Sequence, residues 1–403
     1  MIITAIVFLL ILSVLVLIHE AGHYFVAKKF GIKVEEFGFG FPLTPPIWQK
    51  KKGETLYSFY PILIGGFVKL YGEDEAGAGR IAAPKDTKKG KDPDQDPDQD
   101  RAFFSRSIWQ RTAVIVAGVL MNVILAVVIF YTFLALLNFK TAIPVIGENP
   151  PSYIGVNQQI VPKGIAIGRV SPNSPADQAG IKSATILTKI NGQEIKSNDA
   201  LGKIISDNKG KEITVEWYDI AANKFQTASM TPRVSPPKDE GSLGIAFDYS
   251  QYDTVLLNYE TPTQKLFSGF SHSYNLQLFN LDGLGTLFNQ SVQEKRIEPI
   301  SDNVSGPVGI GALVNRIVEI PDAKEQVLQL LNLAGILSLS LAFFNILPIP
   351  GLDGGRLFFI LLEAVIGRKV NPKIEGYFHA VGMVLLIALL LLVTIKDVTQ
   401  LFK

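Results

Sequence analysis

The chain has 403 residues, 47% of them hydrophobic, a net charge of +1 and no cysteine; its mean hydropathy is +0.25. Near-neutral charge gives no footing for a nucleic-acid partner. The absence of thiols excludes disulfides and thiolate metal sites, so any zinc must be held by histidine and carboxylate. The apolar residues are gathered into a few long runs, the pattern of a chain that crosses a bilayer.

Residues 1–30 are read as the first membrane helix. Ile2 to Ile18 is apolar, no Lys or Arg precedes it, and it passes directly into His19-Glu20-Ala21-Gly22-His23. With no small-residue cleavage site after it, the run is read as a retained span rather than a signal peptide. A loop over 31–111 follows. Its Gly/Pro-punctuated stretches Phe37–Pro46 and Leu56–Tyr71 read as hairpin strands. Lys85–Asp100, charged and Pro-interrupted with a repeated Asp-Pro-Asp-Gln, has nothing to bury and reads as a disordered insert.

The second span is expected over 112–138, and short strands with turn signals fill the stretch from about 150 to 255. Residues 262–292 have an aromatic side and a polar one (Ser271, His272, Asn275, Gln277), which suits a helix at the membrane surface. His272 and His379 are read as interfacial. The third span, 326–367, is broken at Pro348-Ile349-Pro350-Gly351-Leu352-Asp353-Gly354-Gly355, and the fourth is expected over 376–396. Lys28, Lys29, Lys33, Arg101, Arg106, Arg111, Arg368, Lys369 and Lys373 flank one set of span ends, against Lys140, Lys324 and Lys396 at the other. The positive-inside rule then puts the first loop in the cytoplasm and the 140–325 region outside.

His19 and His23 are four apart, so on a helix both imidazoles share one face and can reach a single tetrahedral zinc. Glu20, beside the first, can take a proton from water that such a zinc acidifies. The alternative is a chance H-E-x-x-H in a polar helix end. Two histidines and a glutamate inside a membrane helix are costly, however, unless a metal or a polar cavity receives them. A catalytic zinc needs a third protein ligand, and Asp353 is the best candidate: a lone carboxylate among glycines in an apolar span is unfavourable without a cation. The bland reading makes Asp353 a turn residue at the membrane edge.

Taken together, His19-Glu20-Ala21-Gly22-His23, Asn345-Ile346-Leu347-Pro348-Ile349-Pro350-Gly351-Leu352-Asp353-Gly354-Gly355 and Ser305-Gly306-Pro307-Val308-Gly309-Ile310 resemble the site-2 protease family (M50). The resemblance runs from 1 to 395 and is nearest to the bacterial, RseP-like branch, with a PDZ domain between the second and third spans. It implies a polytopic α-helical membrane protein of about four transmembrane helices, with a membrane-associated β-hairpin and an inserted PDZ-like α+β domain at about 155–235. It implies Zn2+ on His19, His23 and Asp353, with Glu20 as general base. It also implies that Asn345 holds the substrate backbone, that Asn122 faces the site, and that Phe59–Tyr71, with Gly65-Gly66-Phe67-Val68, is a reentrant hairpin on whose edge an extended substrate pairs.

The implied activity is cleavage of transmembrane segments of single-span proteins, such as anti-sigma factors or signal-peptide remnants, in a bacterial inner membrane. The active site would lie toward the cytoplasm, and the PDZ-like domain outside would gate or bind substrate ectodomains. The PDZ likeness rests on Ile165–Val170, Ser174-Pro175-Ala176-Asp177-Gln178-Ala179-Gly180-Ile181 and Ile186–Gly192. The chain departs from the family pattern at Val119, where relatives often have proline, at Arg356, where some have histidine, and at Ala184-Thr185, which replaces the usual Gly-Asp. It also has one PDZ-like domain rather than a tandem pair. A metal transporter or an inactive PDZ scaffold is the alternative. The first needs no Glu20 base, and the second needs no intact zinc site.

Overall fold

The computed structural model describes residues 2–62, 65–73, 98–144, 152–237 (without 163, 183–184, 196–197 and 221), 240–247, 254–301, 304–368 and 370–401. Helix α1 (Ile2–Lys29) is followed by four strands, β1 (Val34–Phe39), β2 (Trp48–Lys52), β3 (Thr55–Phe59) and β4 (Gly66–Leu70), and then by α2 (Ile108–Leu136). Next come β5 (Lys140–Pro144), β6 (Asn157–Val161), β7 (Ile165–Val170), α3 (Pro175–Gln178), β8 (Thr185–Ile190) and β9 (Gln193–Glu194). They lead into α4 (Asn198–Asp207), β10 (Ile213–Asp219), β11 (Lys224–Met230), β12 (Ile245–Phe247) and β13 (Thr254–Asn258). Helices complete the chain: α5 (Pro262–Leu266), α6 (Ser268–Glu294), α7 (Glu298–Ser301), α8 (Pro307–Val318), α9 (Ala323–Ile346), α10 (Asp353–Ile366) and α11 (Pro372–Leu401).

Among the described residues, α1, α2, α9 and most of α11 are long and apolar enough to cross a membrane. Two compact units are formed. One takes Met1–Leu136, His272–Gln277 and Leu287–Lys403, and the other takes Leu137–Ser271 and Leu278–Thr286, so α6 is divided between them.

In the first unit α2 is the most enclosed span and packs against α1, α9 and α10, whereas α11 is the least enclosed. The strands after α1 form a sheet in the order β2-β3-β1-β4. Its hairpin is β2–β3; β3 and β4, which bound the Leu56–Tyr71 stretch, are not bonded to each other, because β1 lies between them. That arrangement leaves β4 as an edge strand among the described residues. Ala27, Val34, Leu70, Val114 and Leu357 share one buried core, which fixes the sheet against α1, α2 and α10. Glu54 ties the sheet to the end of α1 through Lys28 at 2.5 Å, and accepts from Arg101 at 2.6 Å.

Positions 85–97 of the charged insert lie outside the described residues, as do Ala184 and Lys369. The insert's last residues are placed: Asp98 pairs with Lys33 at 2.5 Å, and Gln99–Arg101 make a 3-10 turn.

The second unit holds a sheet in the order β11-β10-β8-β7-β12, with β9 on β8. Inward residues such as Ile165, Ile167, Leu187, Ile190, Val215 and Trp217 fill its core together with Leu201 of α4. Ser174 caps α3 by accepting from the Asp177 amide at 3.2 Å, and Pro175 occupies the first turn, where its missing N–H costs nothing. Strand β12 extends this sheet beyond residue 235 by returning to pair with β7. A second sheet, β5-β13-β6, completes the unit.

The surface-helix expectation for 262–292 is corrected in its polarity. Ser268, Ser271, His272, Ser273 and Asn275 are buried, while Phe267, Phe270, Tyr274, Leu281, Leu284 and Phe288 are exposed. The polar side faces the protein and the apolar side faces out, the arrangement that lipid rather than water favours. His272 is therefore not interfacial: its ring lies edge-on to Phe130, with centroids 5.0 Å apart.

Candidate metal centre

Helical periodicity puts His19 and His23 one turn apart on α1, and both are buried. The second element of the site is the break between α9 and α10. Pro348 and Pro350 cannot continue a helix, Gly351 takes a left-handed φ of +89°, and α10 restarts at Asp353. The break also needs its glycines. A Cβ on Gly354 would lie 1.8 Å from the Leu347 carbonyl oxygen, and one on Gly355 would lie 2.6 Å from that of Ile349.

Three side-chain atoms converge as a result. Asp353 Oδ2 lies 2.9 Å from His19 Nε2 and 3.1 Å from His23 Nε2, and the two Nε2 atoms are 3.2 Å apart. Ligands bound to a tetrahedral zinc at about 2.0–2.1 Å stand roughly 3.3 Å from each other, so the triangle is close to the size such an ion requires. Among the described residues these three are the only group of His, Cys, Asp or Glu able to hold a metal ion.

The hydrogen bonds behind the rings agree with that fit. His23 Nδ1 lies 2.8 Å from the Val114 carbonyl oxygen, which can only accept, so Nδ1 carries the proton and Nε2 presents its lone pair. Asn122 is fully buried, with its Nδ2 3.4 Å from His19 Nδ1 and its Oδ1 without a partner among the described residues. The two ends of an amide have the same shape. Turned over, Asn122 would accept from His19 Nδ1–H, which turns the Nε2 lone pair of His19 inward as well. Two lone pairs and a carboxylate oxygen within about 3 Å of one another repel unless a cation lies among them.

A cavity of about 320 Å³ opens on this cluster and is lined by Glu20, Phe67, Val68, Asn122 and Asn345 as well as by the three converging residues. Gly66 is not part of the wall, yet a Cβ there would come within 3.6 Å of Glu20 Cγ. Gly65 stands apart: it turns the chain at φ +90°, and its carbonyl accepts from the Gly40 amide at 2.9 Å. The edge strand β4 thus borders the cavity through Phe67, Val68 and Leu70. Arg356, one turn after Asp353, also lines it and is ion-paired to Glu73, which follows β4.

Several supporting contacts were not anticipated by sequence reasoning. Gly22 and Gly118 let α1 and α2 meet: a Cβ on Gly22 would lie 2.4 Å from the Ala117 carbonyl oxygen, and one on Gly118 would lie 2.3 Å from His23 Nε2. The available signal was a glycine in each of two apolar helices, Gly22 between the two histidines and Gly118 four residues before Asn122. Ser338 of α9 donates to the Asn122 carbonyl at 2.8 Å, and Arg111 of α2 holds Glu363 of α10 through two bonds of 2.8 and 2.9 Å. His379 is corrected from interfacial to buried, since its Nδ1 accepts from the Gly351 amide at 3.0 Å.

Comparison with known proteins agrees over the whole length. Peptidase family M50 matches residues 7–389. A zinc metalloprotease RasP of Oceanobacillus iheyensis is 27% identical over 99% of both chains. The regulator of sigma-W protease RasP of Bacillus subtilis is also 27% identical, again over 99% of each. Among solved structures, the PDZ domain of an SdrC-like protein of Listeria monocytogenes covers 22% of this chain and 92% of its own, with 19% identity and a TM-score of 0.19. The chain belongs to Peptidase family M50 and is a multi-pass membrane zinc metalloprotease.

Proposed function

We propose that the protein is an intramembrane endopeptidase that cuts the transmembrane segments of single-span proteins, with His19, His23 and Asp353 as zinc ligands and Glu20 as general base. The observation that carries this reading is the meeting of three acceptor atoms from α1 and α10, inside apolar helices, at the floor of a cavity bordered by an open strand edge. When bound, zinc supplies a Lewis acid that polarises the scissile carbonyl and brings the pKa of water toward neutrality.

The chain's own residues supply the rest. Glu20 takes the proton of the attacking water on its carboxylate and passes it to the leaving amine. Hydrolysis needs an extended segment, because a helix engages its own carbonyls and amides. Among the described residues β4 is bonded to one strand only, β1, so such a segment can add to its other edge, and Asn345, which also lines the cavity, holds the substrate backbone. Asn122 orients His19 and fixes its tautomer.

The excess of basic residues beside the first loop supports a site toward the cytoplasm, with the second unit on the outer side. There the PDZ-like domain screens ectodomains, so substrates already trimmed on that side are the ones cut. Anti-sigma factors fit this class, in line with the name of the Bacillus subtilis relative, and so do signal-peptide remnants. The test is cleavage in reconstituted membranes of one tagged single-span substrate carrying either its full ectodomain or a short stub. Cutting of the stub form alone is expected. Equal cutting of both removes the screening role, and no cutting of any single-span substrate removes the endopeptidase reading.

A further inference from the structure

The turn that presents Asp353 has a hydrogen bond to a distant helix that sequence reasoning did not anticipate. The Gly351 amide, two residues before Asp353, donates to Nδ1 of His379 on α11 at 3.0 Å. Other main-chain bonds of the turn are local: Ile349 to Leu347 at 2.6 Å, Leu352 to Ile349 at 3.2 Å and Gly355 to Leu352 at 3.1 Å. Backbone contact reinforces this link. A Cβ on Gly382, one turn along α11, would lie 2.0 Å from Pro350 Cβ, and one on Gly355 would lie 3.0 Å from His379 Cε1. The α11 backbone therefore rests directly on the Pro350-Gly351 turn, with the imidazole filling the space behind it.

Packing alone does not account for a histidine here. Because Nδ1 accepts, the ring proton sits on Nε2, and Nε2 is buried without a hydrogen-bond partner among the described residues. The nearest carboxylate oxygen, Oε1 of Glu375, is 4.0 Å away, beyond hydrogen-bond reach. An apolar ring of similar shape would fill the same volume without leaving a donor unpaired. The feature an apolar ring lacks is the acceptor that faces Gly351.

We propose that His379 is a positioning residue: by accepting from Gly351 it fixes the turn that sets the Asp353 carboxylate against His19 and His23. The inference rests on the reading of Asp353 as a zinc ligand. It makes the last span, otherwise the least enclosed of the four, a structural support of the metal centre. Groups that orient ligands from behind typically account for 10–100-fold in metal affinity or activity.

The side-chain amide oxygen of asparagine falls near the position of Nδ1, whereas that of glutamine falls near Nε2. This separates the acceptor from the volume. His379→Asn, His379→Gln and His379→Leu are prepared in the full-length protein in lipid nanodiscs. Zinc affinity is measured by chelator competition, the ligand field by the absorption of the cobalt-substituted protein, and cleavage as kcat and KM separately. His379→Asn is expected to stay within about threefold of wild type, while His379→Gln and His379→Leu lose roughly 10–100-fold in zinc affinity or kcat, with KM unchanged and an altered cobalt spectrum. The proposal is overturned if all three behave as wild type, or if His379→Asn is as impaired as His379→Leu at equal thermal stability. Asp353→Asn is the control: full zinc affinity in that variant would remove the ligand reading itself, whatever the His379 series shows.

Discussion

Replacing Gly118 by alanine is a demanding check on the site, because one methyl group is aimed at two metal-binding candidates. An added Cβ would lie 2.3 Å from His23 Nε2, 2.6 Å from His23 Cε1 and 2.8 Å from His19 Cε1. Non-bonded carbon atoms pack at about 3.5–4.0 Å, so the rings must retreat by about 1 Å or the two helices must part. Parting would give up the close contact of α1 with α2 that Gly22 allows at the Ala117 carbonyl. Overpacking of this kind costs about 1–3 kcal/mol in stability, and a displacement of about 1 Å at a reaction centre costs on the order of 100-fold in rate. The assay is zinc content, thermal midpoint and cleavage rate of Gly118→Ala beside Gly311→Ala. Gly311 is also helical, but a Cβ there would meet nothing within 4 Å, so its substitution should leave all three readings intact or slightly raise the midpoint. Wild-type zinc content and rate in Gly118→Ala would refute the packing argument.

Two further outcomes follow from the same geometry. Glu363→Ala strands the buried Arg111 guanidinium and should cost about 3–5 kcal/mol, read as a fall in thermal midpoint, whereas replacing Arg111 and Glu363 together by Met and Leu should recover most of it. Asp397 of α11 accepts from the Gly306 and Gly309 amides at 2.9 and 2.8 Å and so caps α8 from another helix; Asp397→Ala should cost about 1–2 kcal/mol and Asp397→Asn less, by the same measurement.

How much of this could be read beforehand depends on whether the determining contacts are local. The spacing of His19 and His23 fixes their common face through helical periodicity, and Pro348, Pro350 and the glycines announce a broken helix. Those two local signals already contain most of the metal site. Sheet order does not follow from local signals. β1 sits between β3 and β4 because of pairing across 20 to 36 residues, and among the described residues it is this insertion that makes β4 an edge beside Glu20. Likewise β12 joins its sheet from well beyond the strands that signal the domain. The two-sided pattern of 262–292 was visible, but amphipathicity alone does not say which side meets lipid, and the buried polar side of α6 reverses the surface reading. His379 illustrates the remaining limit on local reading: its partner is a backbone amide 28 residues away, which no side-chain motif marks.

The central claim is that His19, His23 and Asp353 hold the zinc while Glu20 moves the proton. It is tested most directly by measuring bound zinc and cleavage of a single-span substrate on the same preparations of wild type, Glu20→Gln and Asp353→Ala. Glu20→Gln should keep about one zinc per chain and lose cleavage, and Asp353→Ala should lose both. A Glu20→Gln protein that still cuts, or an Asp353→Ala protein that still holds zinc at wild-type affinity, would contradict the assignment.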